Sequence, residues 1–491
     1  MLASDWSELG IAVLVLGGVL GVAEWLRSRG LPVAHSRRFV HATVGLYTAG
    51  LVWFFSNPLP VYILASLFVA GNGFTMWRGW VPSVNKIDRK SVGTVTFPLA
   101  LLAVLPLTWT SEVDYRHIIT PVFTILALAD PMASLVGESL KNPGKYFIGE
   151  HTKSVAGSAA FASVAALVLG GWLWSMGMLL EGWMWMLAAA IVLAAVEALG
   201  LRGWDNFFIV VVAVLLLRQR VELGGEGVAL LPVQVAGAAL FVLVTVRLKL
   251  LDLSGGLATG LMGLTFWLVG QMLWLAPAFA FFFTASGWSR YRKARKQEQA
   301  AITEKGATRD AGQVYANGGV AWACAIGHLL FPSPLWWLGC VGAFAAANAD
   351  TWGTELGGLS RRLPRLITTG AAVPAGTSGG VSLLGLFGGM GGALVVGGAA
   401  WLVAADSNLG LVGIALAGGL AGTLMDSLAG ATVQAKYEDA KTGKRTERSG
   451  TESMPNELIA GLRWINNDAV NALCTLTGAV IAITVWAFAL S

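Results

Sequence analysis

The sequence has little charge and hardly any cysteine. Only 12% of its 491 residues are charged, which is about half the share of an average soluble protein and excludes an ordinary soluble fold of this length. Cys324, Cys340 and Cys474 all lie in apolar runs and lack the spacing of metal ligands. This excludes a disulfide framework and a cysteine-based metal centre, so we interpret the three as small packing residues.

Two other features are missing. The first apolar run, roughly 9–26, lacks a basic start and a convincing cleavage site, which favours a retained helix over a secretory signal. The sequence also lacks the charge pattern of a nucleic-acid-binding protein. Its net charge of +5 comes from short loops between apolar runs, as the positive-inside rule describes for membrane proteins. We therefore expect no nucleic-acid partner.

The sequence does contain many long apolar runs. Hydrophobic residues make up 55% of it, and the mean hydropathy is +0.66. Apolar runs of about twenty residues recur along the chain, and their length, continuity and Gly/Ala content predict helices rather than the strands of a barrel. The expected fold is an all-α polytopic transmembrane bundle of about sixteen spans in two halves. The polar break RQRVELGGEG divides them into residues 1–225 and 226–491.

The basic loops indicate an orientation. If the N-terminus is outside, every second loop is cytoplasmic, and the polar clusters described below all fall on that side. We therefore expect an integral protein of the inner (cytoplasmic) membrane whose active sites face the cytoplasm, where nucleotides are found.

Polar islands interrupt the apolar runs of the first half. In RRFVHATVG, Arg37, Arg38 and His41 lie at spacings that share a helix face. In ALADPMASLVGE, Asp130 lies deep in a span, and Pro131 predicts a distorted helix with freed carbonyl groups. An intramembrane carboxylate beside a broken helix is a candidate metal ligand.

A further island, HTKSVAGS, contains Lys153, Ser154 and Ser158 at a predicted helix start. Free N–H groups at a helix start, together with a lysine and hydroxyls, suit the binding of a phosphate. Simpler roles stay open: Lys153 as one charge of a positive loop, and Ser158 as a helix cap or small packing residue.

The densest polar stretch of the second half is 348–380. An apolar run ends in Asp350 and Glu355, and an arginine-rich loop and a segment of Gly, Ser and Thr follow. Carboxylates are suitable ligands for Mg²⁺, and arginine is a suitable ligand for phosphate. The backbone of a Gly/Ser/Thr segment can approach phosphate oxygens closely. The stretch therefore predicts a nucleotide–metal site. On an ideal helix Asn348, Thr351 and Glu355 share a face, so Asp350 joins the site only if the helix unwinds. The alternative is a polar helix end before a positive-inside loop.

Two later motifs extend this candidate site. Asp426 lies near the end of a span in LMDSLAGATVQ, and Asn467, Asp468 and Asn471 begin the last span in WINNDAVN. A carboxylate buried near a membrane end is costly unless it serves a site. For Asp468 the alternative role is a helix cap.

These motifs carry two resemblances. RRFVHATVG, ALADPMASLVGE and HTKSVAGS, over roughly 10–217, resemble the dolichol kinase and phytol kinase family, and the pattern is also similar to CDP-diacylglycerol synthases. QVYANGG, NADTWGTELG, PRLITTG, GTSGG, LMDSLAGATVQ and WINNDAVN, over about 250–489, resemble the transmembrane protein 19 family, which includes phytyl-phosphate kinase. The first resemblance implies a lipid alcohol as substrate, CTP as donor, and a role for Asp130 in holding the nucleotide metal.

Motifs and resemblances together predict a bifunctional membrane kinase. The first half would phosphorylate a prenyl alcohol such as phytol or geranylgeraniol, and the second would convert that prenyl monophosphate into the diphosphate. Mg²⁺ would be the cofactor and CTP the phosphoryl donor. The alternatives are a CTP-dependent lipid-phosphate cytidylyltransferase and an isoprenoid transporter.

The candidate residues divide by role. Candidate catalytic residues are His41, Asp130, Asp350, Glu355 and Asp426, of which the four carboxylates are also the candidate metal ligands. The general base of the first half would be His41 or Asp130. Candidate nucleotide- and phosphate-binding residues are Arg37, Arg38, Lys153, Ser154, Ser158, Arg365, Thr368, Thr369, Gly376, Thr377, Ser378, Gly379, Asn467, Asp468 and Asn471.

Overall fold

The chain forms two compact units, Met1–Gly237 (unit 1) and Ala238–Ser491 (unit 2). The computed structural model describes residues 3–490 except 79–91, 111–113, 149–150, 201–202, 225–228, 291–307, 406–408, 441–442, 444 and 452–453. The units meet in sequence within a helix, and the domain boundary expected between 225 and 226 stays a prediction.

The described part of unit 1 is helical apart from one hairpin. Its helices are α1 (Ala3–Ser28), α2 (Val33–Leu51), α3 (Leu59–Arg78), α4 (Gly93–Thr108), α5 (Arg116–Ser139), α6 (Val155–Ser175), α7 (Leu179–Leu199) and α8 (Asp205–Leu223), and α9 (Leu230–Arg247) contains the division between the units. The antiparallel hairpin of β1 (Lys145–Ile148) and β2 (His151–Ser154) leads directly into α6.

Unit 2 adds short strands to its helices. The helices are α10 (Leu253–Gly270), α11 (Met272–Arg290), α12 (Ala311–Leu330), α13 (Pro334–Gly357), α14 (Leu383–Val403), α15 (Gly410–Thr432) and α16 (Asn467–Leu490). The strands are β3 (Arg365–Leu366), β4 (Gly380–Val381), β5 (Lys436–Glu438), β6 (Arg445–Thr446), β7 (Gly450–Thr451), β8 (Met454–Pro455) and β9 (Glu457–Ala460). β3 pairs with β4, β5 with β6 and β9, and β7 with β8, all antiparallel.

Apolar helices long enough to cross a membrane occur in both units. Of the sixteen described helices, eleven meet this condition by length and composition: α1, α3, α5, α6, α7, α9, α10, α11, α14, α15 and α16. α4 is apolar but shorter. The prediction of an all-α polytopic membrane protein is confirmed.

Small residues hold the polar islands of unit 1 together. α5, which carries Asp130, packs against α2 and α6. A Cβ added to Gly45 of α2 would lie 2.6 Å from the Cβ of Ala127, and one added to Gly157 of α6 would lie 2.8 Å from the carbonyl oxygen of Ala133. In membrane bundles such close packing replaces the hydrophobic effect as the force between helices. α2 and the start of α6 therefore lie directly against the helix of Asp130.

The centre of unit 2 is α13, which packs against α14, α15 and α16. A Cβ added to Gly342 of α13 would lie 2.4 Å from the carbonyl oxygen of Gly478, and one added to Gly418 of α15 would lie 2.7 Å from the same oxygen. On the other side, a Cβ on Gly392 of α14 would lie 2.7 Å from the carbonyl oxygen of Asn348. The backbones of these helices are therefore in direct contact, which only glycine permits at these positions.

We expect Gly342→Ala to destabilise the protein by about 1–3 kcal/mol, because the added methyl group would overlap the backbone of α16. Gly398→Ala is the matched control, since a Cβ at Gly398 of α14 would meet nothing within 4 Å. Thermal unfolding of the purified protein in detergent measures the difference. Equal melting temperatures for the two variants would contradict direct backbone contact at Gly342.

Candidate functional site

The catalytic candidates of unit 1 meet between α2 and α5. Nε2 of His41 lies 3.6 Å from Oδ2 of Asp130 and 2.9 Å from the carbonyl oxygen of Leu126. Because a carbonyl oxygen only accepts hydrogen bonds, Nε2 carries the proton in this arrangement, and a neutral ring then accepts only through Nδ1. Of the two candidate bases, Asp130 is therefore the acceptor at this point.

The helix around Asp130 differs from the expected broken span. α5 is continuous through Pro131, so the predicted break is wrong. A proline removes one N–H from the helix ladder, and here it leaves the carbonyl of Ala127 without its helical partner. The carbonyl of the preceding residue, Leu126, accepts a hydrogen bond from His41 of α2. The neighbouring helix thus supplies a polar partner close to the point where the proline weakens the hydrogen-bond ladder of α5.

The two adjacent arginines of α2 have different surroundings. Arg38 donates to the hydroxyl of Ser134 at 2.7 Å and pairs with Glu138, and the same hydroxyl donates to Glu138 Oε1 at 2.9 Å. Ser134 and Glu138 lie after Asp130 on α5, so the charge of Arg38 joins α2 to α5. Arg37 instead lies in the wall of a cavity.

This cavity, the amphipathic cavity, has a volume of about 200 Å³. Side chains of α1, α2, α3 and α4 and of Asn206 at the start of α8 form its wall. Its lining includes the polar residues Arg37, His41 and Asn206 and the apolar residues Leu51, Leu64 and Leu101. His41 lines the cavity and also lies beside Asp130. The candidate base Asp130 is therefore close to a partly apolar space.

Lys153 belongs to a buried charge cluster. Its Nζ donates to the carbonyl oxygen of Glu197 at 3.1 Å and pairs with the carboxylate of the same residue, and Glu197 is only 5% exposed. Burial lowers the pKa of Lys153, but the attraction of Glu197 outweighs it, so the pKa stands above its ordinary value. Asp130 and Asp205 lie close enough to add to that attraction. The cluster thus connects Lys153 to Asp130 electrostatically.

The start of α6 is already capped. Three N–H groups of its first turn are bound within the protein: Gly157 by Ser154 Oγ, Val155 by the carbonyl of Gly144, and Ala156 by the carbonyl of Pro143. The expectation of free N–H groups here is therefore wrong for these three, because residues 143–144 and the β1–β2 hairpin fold back onto the helix start. Ser158 Oγ lies 2.6 Å from the hydroxyl of Tyr146. Lys153 stays the candidate cationic phosphate ligand of this island.

In unit 2, Asp350 faces α15. It accepts a hydrogen bond from the hydroxyl of Thr423, and Asp426, one turn further along α15, lies close enough to repel it. α13 is continuous through Asp350, so the unwinding that the ideal-helix argument required does not occur. Asn348, which that argument placed on the site face, is fully buried and donates Nδ2 to a carbonyl of α14 at 2.9 Å. The site face is therefore that of Asp350.

The Gly/Ser/Thr segment is anchored beside Asp426. Ser378 Oγ donates to the carboxylate of Glu447, and Glu447 in turn lies close enough to Asp426 for the two to repel. Burial raises the pKa of Glu447, and the bond from Ser378 opposes that shift. Gly379, with φ +85°, lies against the end of α15, where a Cβ would be 2.6 Å from the Cβ of Ala431. This contact and the positive φ together require glycine.

Other predicted residues of this segment shape its turns. Thr377 Oγ1 donates to the carbonyl of Pro374 at 2.8 Å, Thr369 Oγ1 accepts from the N–H of Ala371 at 3.3 Å, and Arg365 donates to the carbonyl of Gly370 at 2.8 Å. Gly376 has φ +87°, and Thr368 is exposed. The hydroxyls of Thr369 and Thr377 thus stabilise the loop itself.

The remaining polar residues of the site lie at the start of α16. Asn467, Asp468 and Asn471 are half-buried in its first two turns. Asn466 accepts from the N–H of Ala469 at 3.0 Å, so the helix-capping bond comes from Asn466. Asp468 is already inside the helix.

Glu355 faces a different side of α13 from Asp350, because five residues turn a helix by about 140°. It attracts Arg309, which precedes α12. Burial lowers the pKa of Arg309, and the attraction of Glu355 opposes that shift. Arg309 also lies over the ring of Phe281, with Cζ 5.7 Å from the centroid. The structure thus brings Asp350 together with Asp426, and Glu355 together with Arg309.

The pair of Asp350 and Asp426 fits a nucleotide-bound cation. Among the described residues, neither carboxylate has a salt-bridge partner. Within the same part of the chain, no group of three or more His, Cys, Asp or Glu side chains is placed to hold a metal alone. Mg²⁺ is commonly held by one or two carboxylates together with substrate phosphates, which is the arrangement that this pair permits.

Comparison with known proteins places unit 2 in a family. Residues 236–479 match the integral membrane protein family DUF92. An uncharacterised membrane protein of Methanocaldococcus jannaschii is 30% identical over 242 residues, which are 48% of this chain and 87% of that protein. The chain belongs to the DUF92 family.

Two further relatives of this DUF92 protein are more distant. A protein of Synechocystis sp. named phytol kinase is 25% identical over 210 residues, which are 41% of this chain and 83% of that protein. The chloroplastic protein VTE6 of Arabidopsis thaliana is 24% identical over 246 residues, which are 49% of this chain and 66% of that protein. No solved structure matches the chain.

Sequence reasoning missed several residues of the two candidate sites. Glu197 was detectable, because it is a carboxylate that follows a long uncharged stretch of α7, and ionisable residues within apolar spans are candidates for sites. Asp205 is the first residue of α8, where capping is the ordinary explanation of an aspartate. Arg309 ends a basic loop, where a positive-inside charge is the ordinary explanation. Glu447 lies in a loop rich in carboxylates, and only the folded chain distinguishes it from its neighbours.

We expect Lys153→Met to destabilise unit 1 by about 3–5 kcal/mol, because it leaves Glu197 buried without its partner. Adding Glu197→Gln to the same chain should recover most of the loss. Since the pKa of Lys153 is raised, this stabilisation should be complete below its ordinary value of 10.5 and lost only at higher pH.

Denaturant unfolding in detergent measures these differences. Lys145→Met is the control, because Lys145 is an exposed lysine of the same hairpin. Equal stability of the Lys153→Met and Lys145→Met proteins would show that the pair with Glu197 contributes nothing.

Proposed function

We propose that this protein is a bifunctional membrane phosphotransferase. Unit 1 phosphorylates a prenyl alcohol such as phytol or geranylgeraniol, and unit 2 phosphorylates the resulting monophosphate, with CTP as donor in both. One juxtaposition supports this most directly: Asp130 interacts with Lys153 and lies 3.6 Å from His41, which lines the amphipathic cavity. A base, a cation and an apolar space thus lie together, and the name of the Synechocystis relative, phytol kinase, supports the same substrate class.

In unit 1, the hydroxyl group of the alcohol lies at the polar end of the cavity. Its oxygen forms a bond to the γ-phosphorus while the bond from that phosphorus to the β–γ bridging oxygen breaks, and the nucleoside diphosphate leaves. Asp130 accepts the hydroxyl proton, and His41, whose Nε2 lies 3.6 Å from this carboxylate, lines the cavity beside it. Such transfers depend mainly on positioning and on neutralising phosphate charge.

Lys153 supplies part of that charge. An ammonium group has three N–H donors, and two of those of Lys153 reach the carbonyl and carboxylate of Glu197. The third is directed to a phosphate oxygen of the nucleotide. Glu197 therefore positions Lys153, and Asp130 also serves as the candidate ligand of the nucleotide metal in this unit.

In unit 2, the attacking group is a phosphate, which is already ionised and needs no general base. Asp350 and Asp426 would hold the Mg²⁺ of the nucleotide, which when bound neutralises charge on the transferring phosphoryl group. The loop of Ser378 and Gly379 lies beside Asp426 and presents backbone to the phosphates. Arg365, which is exposed at the start of that loop, adds positive charge.

The position of a radioactive label tests the reaction type. Purified protein is given CTP labelled at either the γ- or the α-phosphorus, with Mg²⁺ and a prenyl alcohol. Label on the lipid from the γ position identifies phosphoryl transfer. Label from the α position would identify a cytidylyltransferase, and an unlabelled lipid would favour transport.

The two half reactions should be separable by mutation. We expect Asp130→Asn to lose use of the alcohol but keep use of the monophosphate, and Asp350→Asn to do the reverse, each by on the order of 10²-fold or more. Asp114→Asn and Glu438→Gln are controls, because these carboxylates lie outside the two clusters. Product analysis by mass spectrometry gives the result. Loss of both activities in either folded variant would mean one composite site.

We also propose that both sites face the cytoplasm of a bacterial-type inner membrane, because their loops carry the positive charge of the sequence. The three native cysteines are buried, so Lys145→Cys in unit 1 and Arg362→Cys in unit 2 provide exposed probes. We expect an impermeant thiol reagent to label both only after the membrane is opened. Labelling of either in intact cells would contradict this orientation.

A further inference from the structure

The amphipathic cavity of unit 1 is long and narrow. On α2 its lining runs from Arg37 to Leu51, which at 1.5 Å per residue is a rise of about 21 Å. Its volume is only about 200 Å³. A space of this length and volume accommodates a single thin chain rather than a broad ligand.

One end of the cavity is polar and fixed by hydrogen bonds. Asn72 donates to the carbonyl of Thr94 at 2.7 Å, and Asn206 donates to the carbonyl of Gly93 at 3.0 Å. These bonds join α3 and α8 to the start of α4. Arg37 lies in the same part of the wall, in the first turns of α2.

The other end of the cavity, which we call the closed end, is apolar and has a buried wall. Leu51, Leu64 and Ala65 line it and are only 2%, 3% and 3% exposed. Leu101, two turns into α4, lies in the same wall. The gradient along the cavity therefore runs from amide and guanidinium groups to methyl groups.

This gradient selects the kind of ligand. A nucleotide is too polar for the closed end, and a lipid with two acyl chains is too wide for a single narrow space. A ligand with one hydroxyl group and a single apolar chain matches both ends. Burial of each chain carbon contributes favourable free energy, so the length that fits determines affinity.

We propose that the amphipathic cavity binds the isoprenoid chain of the alcohol, and that Leu51, Leu64 and Ala65 set the longest chain that unit 1 phosphorylates. This inference rests on the proposed alcohol kinase activity of unit 1. It adds the binding site of the chain and the residues that determine chain length.

Substitutions at the closed end test the proposal. Ala65→Phe shortens the cavity, and Leu64→Ala lengthens it. The control is Leu67→Phe, a residue of the same helix that is 57% exposed and outside the cavity. For each protein, kcat/KM is measured with geraniol, farnesol, geranylgeraniol and phytol in vesicles.

The ratio of kcat/KM for geranylgeraniol to that for geraniol should fall by about 10-fold or more in Ala65→Phe, because a pocket discriminates a chain by its extra methylene groups. Leu64→Ala should shift the optimum toward longer chains, and Leu67→Phe should leave the profile unchanged. Opposite shifts in two variants do not follow from general destabilisation. An unchanged ratio in folded Ala65→Phe would overturn the proposal.

A second measurement separates this proposal from the proposed function. A geranylgeraniol analogue with a diazirine at the distal end of the chain is irradiated with the protein in vesicles, and labelled peptides are identified by mass spectrometry. Label on cavity residues of α2, α3 and α4 that disappears in Ala65→Phe supports the binding site even if the parent phosphorylates no alcohol. Label confined to outward-facing residues such as Leu67 would overturn the site.

Discussion

A charged side chain inside an apolar helix bundle is stable only where a partner compensates it, and this constraint arranges the polar residues of both units. Unit 1 meets it internally, because Lys153 pairs with the buried Glu197. Unit 2 places Asp350 and Asp426 near each other with no cationic partner among the described residues. The close packing of α13 against α15 keeps the two carboxylates near each other. A bound cation would relieve their repulsion, so on the proposed function the second site is complete only with its nucleotide.

The sequence predicted the fold class because helix length and apolarity are local properties. It also predicted that Asp130, Asp350 and Asp426 are unusual, since a carboxylate in an apolar run is conspicuous by itself. It did not predict which face of α13 forms the candidate site. The carbonyl oxygen of Gly392, on another helix, accepts a hydrogen bond from Asn348 and so removes Asn348 from that face. The partners of Lys153 and Ser378 are 44 and 69 residues away, and spacing along the chain carries no information about such contacts.

Several residues that were predicted to bind phosphate instead form hydrogen bonds within the protein. Ser154 caps α6, Thr377 closes a turn, and Arg38 joins two helices. Such residues hold the backbone around the candidate sites, so their loss would change the geometry of those sites. In a kinase this distinction matters, because phosphoryl transfer depends on placement of the nucleotide to within a fraction of an ångström. The predicted motifs of both units therefore contain residues that hold the surrounding turns and helices.

Two helices that line the amphipathic cavity, α1 and α3, are among the least covered of the membrane-length helices, with 22% of the apolar 18-residue stretch of each buried. On the proposed function, a lipid alcohol would reach the cavity sideways from the bilayer and would never pass through water. Catalysis would then follow the mole fraction of substrate among the surrounding lipids, and adding inert phospholipid would slow the reaction even at a fixed total amount of alcohol. Surface dilution, rather than aqueous solubility, would govern how much prenyl alcohol the enzyme encounters.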